Sequence, residues 1–223
     1  MWLSAEPFMA GTLVLFVHGL WMPGPESALL RRRVAQQLGA TAELFAWRTT
    51  SESPGVVAGR LHERIRERAP RALHLVGHSL GGLALLQLFA HHPEQPPGRV
   101  VLLGSPTAGS RSAERFTARF PPGQRLVGLF LRAEVLGRHG GALREWTHAD
   151  RALGVIAGTR SMGLGRFFAQ FDQPNDGTVA LRETAIAGAA DRLTLPVSHF
   201  GMLVSREVAR QTALFLRDGH FGL

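Results

Sequence analysis

"LHLVGHSLGGLAL", residues 73–85, runs apolar as far as Val76, breaks at Gly77-His78-Ser79, and turns apolar again after two further glycines. Glycine costs backbone entropy in any regular element, so three of them around one serine imply a geometric demand. A strand that ends near Val76 and a helix that opens near Ser79 would create that demand. In so sharp a turn, side chains two positions either side of the apex collide with the strand and the helix. Gly77 and Gly81 occupy those two positions, which leaves Ser79 at the tip.

The surrounding chain repeats this alternation. Short apolar runs predict strands at 12–17, 42–47, 73–76, 99–103, 154–157 and 192–196. Between them, Leu30, Val34 and Leu38 mark a helix closed by Gly39, and Val57, Leu61 and Ile65 mark a second between Pro54 and Pro70. The segment 79–92 is apolar nearly all round and predicts a buried helix. A last helix is expected over about 202–216, with Val204, Val208 and Phe215 facing inward. Strands alternating with helices predict an α/β fold, a mostly parallel sheet of about six strands with helices on both faces. At 223 residues, 45% of them hydrophobic, the chain fits a single domain, 1–223, with a sizeable core. One stretch breaks the pattern: about fifty residues separate the strands at 99–103 and 154–157, far more than one helix and its loops need. We read 107–150 as a lid or cap over the C-terminal edge of the sheet.

Composition narrows the chemistry. There is no Cys, hence no disulfide, thiolate metal site or cysteine nucleophile, and compartment cannot be read from cysteine usage. There is no Lys, so a phosphate-loop lysine and a Schiff base are excluded, and there is no Tyr. The net charge of +8 comes from arginines scattered along the chain. In "RLHERIRERAPR" (60–71) they alternate with glutamate, the pattern of a solvated helix face, so no nucleic-acid partner is expected. Attraction to an anionic substrate or peripheral contact with a lipid surface remains open, as does oligomeric state. The opening stretch lacks a cationic start and is interrupted by Glu6 and Pro7, which predicts a strand rather than a signal peptide. With no apolar run long enough to span a bilayer, a cytoplasmic location is expected.

A G-x-S-x-G pattern on a strand–turn–helix is a nucleophile elbow, with the serine hydroxyl exposed beyond the strand's C-terminal end. The helix N-terminus behind it adds partial positive charge and unpaired N–H groups, so the N–H of Leu80 can receive an oxyanion. In this form "GHSLGG" (77–82) resembles the α/β-hydrolase superfamily, in particular its lipase and esterase branch. "FVHGLW" (16–21) resembles the His-Gly segment where that family places a second oxyanion donor, which implies the N–H of Leu20, with Trp21 as the alternative. "GSPTAGS" (104–110) resembles a lipase turn, with Thr107 where the family usually has histidine. The family's chain order of serine, acid, histidine implies His199 in "LTLPVSHFGML" (193–203), between the last strand and the last helix. The acid is expected in "QPNDGTVALRET" (173–184), which resembles the family's Asn-Asp-Gly turn. Asp176 is the first choice, Asp172 the fallback and Asp150 a distant one.

The other histidines carry weaker signals. Strand alternation points His78 away from the nucleophile, which favours packing. The resemblance gives His18 a part in shaping the oxyanion loop. His91 and His92 close a helix, while His62, His74, His139, His148 and His220 have no supporting context. Trp21, Phe116, Phe120, Leu129, Phe130 and Leu131 form a candidate acyl pocket, or else simply pack the lid onto the sheet. The resemblance implies a serine carboxyl-ester hydrolase that needs neither metal nor organic cofactor. An acyltransferase or thioesterase would use the same residues, and a binding module without catalysis would use only the fold.

Overall fold

The computed structural model describes residues 11–110, 145–162 and 173–222. Its strands are β1 (Thr12–Val17), β2 (Thr41–Phe45), β3 (Ala72–His78), β4 (Val100–Leu103), β5 (Leu153–Gly158) and β6 (Asp191–Leu195). They form one sheet in the order β2-β1-β3-β4-β5-β6, and every neighbouring pair is parallel. The described helices are α1 (Ala28–Leu38), α2 (Pro54–Arg68), α3 (Leu80–His91) and α4 (Arg206–Asp218).

Strands covered on both faces must be apolar at every position, and β1, β4 and β5 are buried throughout. Alternate residues then feed two cores. Leu13, Leu15 and Val17 pack with Val57, Leu61 and Ile65 of α2 and Leu83 of α3. Val14 and Phe16 pack on the other face with Leu30 and Val34 of α1 and Val208 and Phe215 of α4. The chain is thus a three-layer α/β sandwich. Helix α3 is buried from Leu80 to Phe89, and each such leucine contributes about 1.5–3 kcal/mol through burial.

Several predicted boundaries move, each for a local reason. β3 runs on through Gly77 and His78, because those residues still pair with Leu102 and Leu103. β2 stops at Phe45 rather than Trp47, whose N–H donates to the His18 ring instead of a ladder partner. The last helix begins at Arg206, capped by the Ser205 hydroxyl, which accepts from the Val208 N–H at 3.2 Å. Val204 therefore lies outside it and is 56% exposed, not part of the inward stripe. Most of the expected lid (111–144), including Phe116, Phe120, Leu129, Phe130 and Leu131, lies outside the described residues, as does Asp172. No helix among the described residues is long and apolar enough to cross a membrane.

Candidate active site

The strand order fixes where a site belongs. From β1 the chain moves out to β2, then returns past β1 to β3 and continues the other way. Loops leaving β1 and β3 therefore part at their C-terminal ends, and ligands gather in the crevice at such a switch point. The β1 loop begins His18-Gly19-Leu20, and β3 leads into Ser79.

Ser79 is the single residue between β3 and α3, with φ 54° and ψ −124°. A non-glycine residue held there stores strain of about 1–3 kcal/mol. What holds it is close packing. A Cβ on Gly77 would sit 2.5 Å from the Gly82 Cα, and one on Gly81 would run into the Val17 carbonyl. Gly82 lies against Ser105, which leaves no space for a side chain there either. The Ser79 N–H donates to the Leu103 carbonyl at 2.9 Å, anchoring the turn to β4.

The β1 loop abuts the serine: a Cβ on Gly19 would meet the Ser79 Cβ at 2.9 Å. His18 shapes this loop. Its Nε2 accepts from the Trp47 N–H at 3.2 Å, so Nδ1 carries the proton and donates to the Gly19 carbonyl at 3.0 Å. Burial lowers the His18 pKa, which keeps this neutral arrangement. The Trp21 N–H donates to the Thr49 hydroxyl at 3.2 Å. No described residue accepts from the N–H of Leu20 or of Leu80.

Two distant segments meet beside this turn. Asp176 is buried, and its Oδ1 accepts from the N–H groups of Thr178 and Val179 at 2.9 and 2.7 Å. Its Oδ2 accepts from His199 Nδ1 at 2.7 Å, and the His199 N–H donates to the Asp176 carbonyl at 2.9 Å. With Nδ1–H committed to the carboxylate, Nε2 of a neutral His199 is left as a base. Gly104, at the end of β4, makes room for the pair: it has φ 55°, and a Cβ there would lie 3.0 Å from Asp176 Oδ2. A lone glycine just after a predicted strand was the only sequence signal for that role.

The structure thus brings together Ser79, the Leu20 and Leu80 N–H groups and the Asp176–His199 pair. Among the described residues no hydrogen bond joins Ser79 to His199. Asp150 is not brought near: it is exposed, in the turn before β5 and so at the opposite end of the sheet. Trp21 is 58% exposed, and Phe200, next to His199, is 57% exposed.

His78 packs against the base and also reaches its backbone: its Nε2 lies 3.0 Å from the His199 carbonyl oxygen, and the two rings are 4.6 Å apart. This contact depends on the path of the β6 loop, which brings His199 against the His78 ring.

No curated protein sequence matches the chain. Residues 14–222 match the sequence model of the alpha/beta hydrolase family. Among solved structures, the Bacillus licheniformis lipase BlEst2 in its mature form superposes with a TM-score of 0.69 at 18% identity, covering 95% of this chain and 92% of that one. The metagenomic carboxyl esterase MGS0156 gives 0.63 at 20% identity, covering 92% and 74%. The RedJ thioesterase of prodiginine biosynthesis from Streptomyces coelicolor gives 0.56 at 14% identity, covering 95% and 87%. At these identities the likeness to each structure concerns the fold.

Proposed function

We propose, from the premise that this chain belongs to the alpha/beta hydrolase family, that it is a serine hydrolase of carboxylic esters with an apolar acyl chain. Ser79 is the nucleophile, His199 the base and Asp176 its partner. The observation that carries the reading is the 2.7 Å bond between two buried groups, His199 Nδ1 and Asp176 Oδ2, beside the turn that carries Ser79. A buried carboxylate on Nδ1 fixes the imidazole tautomer and stabilises the imidazolium that forms during reaction.

The mechanism is acyl transfer in two steps. Ser79 Oγ attacks the ester carbonyl carbon as His199 Nε2 takes its proton. The N–H groups of Leu20 and Leu80 hold the oxyanion of the tetrahedral intermediate. That intermediate collapses, and His199 gives the proton to the departing alcohol. Water then adds to the acyl-enzyme, again losing a proton to His199, and the carboxylic acid leaves as Ser79 recovers its proton. Assigning the first donor to Leu20 rather than Trp21 is supported by the Trp21 N–H already serving Thr49. Exposed Trp21 and Phe200, flanking Leu20 and His199, support an aliphatic acyl group.

A series of chromogenic esters of rising acyl length tests this, assayed beside acyl thioesters and with alcohols as competing acceptors. Hydrolysis of the aliphatic esters, lost in Ser79→Ala with the fold intact, is the expected result. Preferential turnover of thioesters, or of transfer to alcohol, would reassign the substrate while keeping the residues. No turnover of any acyl substrate would contradict the reading.

A further inference from the structure

β4 and β5 stand between β3 and β6 in the sheet, yet the loops leaving β3 and β6 must hold Ser79 and His199 in fixed register. On one side His199 is tied to Asp176 twice, through its own N–H and through Nδ1. Its remaining backbone group, the carbonyl oxygen, lies 3.0 Å from His78 Nε2. A carbonyl only accepts, so Nε2 carries the proton and Nδ1 of the neutral ring is bare. Burial, with His199 close by, pushes the His78 pKa down to about 3, so the ring holds one proton. Among the described residues Nδ1 has no hydrogen-bond partner. Leaving such a group buried and unsatisfied costs stability. A leucine at this position would avoid that cost but would also lose the bond to His199.

We propose that His78 is a positioning residue whose Nε2–H···O=C bond to His199 registers the base loop against the turn carrying the nucleophile. The proposal rests on the reading above, in which Ser79 and His199 react together. His78 touches no reacting atom; it acts through the His199 backbone and by seating one ring against the other, 4.6 Å apart and tilted by 46°. Its chain neighbour is Ser79, so whatever displaces the elbow carries the base loop with it. His74 supplies the contrast. It lies four residues earlier on β3 and is as deeply buried, but it accepts from the Arg99 N–H at 3.1 Å at the far end of the sheet.

Nitrogen-15 spectra of the wild-type imidazoles test the tautomer without any substitution. Protonation of His78 at Nε2 is expected, and a proton on Nδ1 would overturn the proposal. In kinetics, His78→Leu is expected to lower kcat by about 10- to 100-fold, the scale of a small misplacement of a reacting group, with KM little changed. His78→Gln, whose amide N–H reaches toward the same carbonyl, recovers most of that loss, while His74→Leu lowers Tm and leaves kcat alone. A folded His78→Leu protein with wild-type kcat, or a folded His78→Gln no better than it, would refute the role. The low-field proton resonance of the Asp176–His199 bond gives a readout that needs no substrate. It is expected to broaden in His78→Leu and persist in His78→Gln; persistence in both would sink the proposal. Because this signal exists whether or not esters are cleaved, its outcome is independent of the substrate assignment.

Discussion

Asp176 shows what a single residue can be asked to do by its surroundings. One carboxylate oxygen closes its own turn through Thr178 and Val179, and the other receives His199 Nδ1. Asp176→Asn keeps the turn but can offer its amide nitrogen to His199, favouring the wrong tautomer. A loss of about 10⁴-fold in kcat is therefore expected, measured with any ester that the wild type turns over. Asp172→Asn is expected to cost little, and the reverse ranking would move the acid. At this scale the sequence was readable where chemistry uses local motifs. "GHSLGG" and "NDG" singled out Ser79 and Asp176 because a tight turn restricts its residues to few types. The bond from His78 was not legible because its partner, the carbonyl of His199, is more than a hundred positions away and belongs to the backbone. Gly104 escaped notice for a similar reason: what needs its missing side chain is the Asp176–His199 pair, which arrives from β5 and β6.

Among the elements, type was more legible than extent. Period-four apolar spacing identified α1 and α2, and short apolar runs identified the strands. The clearest were β1, β4 and β5, where burial on both faces leaves no polar alternation, whereas the edge strands β2 and β6 are only partly buried. Ends depend on single hydrogen bonds that no periodicity encodes, as at Trp47 and Ser205. The C-terminus of α2 gives a test. Ala69 caps it in the left-handed region, at φ 41° and ψ 50°, with its N–H on the carbonyls of Ile65 and Arg66. An alanine there carries a steric cost of about 1–2 kcal/mol that glycine does not. Ala69→Gly is expected to raise stability by about 1 kcal/mol, seen as a higher urea midpoint at unchanged slope. A lower midpoint would show that the cap is not strained.

The molecule as a whole carries a pH signature in its buried histidines. Burial lowers His74 to about 4, helped by the nearby Arg99 and Arg151 charges, and lowers His78 to about 3, helped by His199. Their ordinary value is 6.5, so between 6.5 and these values the unfolded chain binds protons that the native state refuses. Stability is then complete above pH 6.5 and falls as pH drops through that window, at about 1.4 kcal/mol per pH unit for each such proton. Urea unfolding at pH 8 and pH 5.5 checks this: a lower midpoint at pH 5.5 is expected, with the dependence flatter in His74→Gln. Equal midpoints would mean that these rings are protonated in the native protein. The same architecture that excludes water from those rings gathers the ends of β1, β3, β5 and β6 around Ser79, the serine proposed to become acylated. The most direct measurement is intact-protein and peptide mass spectrometry after exposure to a fluorophosphonate, a reagent that traps activated serines. One adduct, on the peptide containing Ser79 and absent from Ser79→Ala, is the expected result. An unlabelled Ser79, or an adduct on another serine that survives Ser79→Ala, would contradict the account.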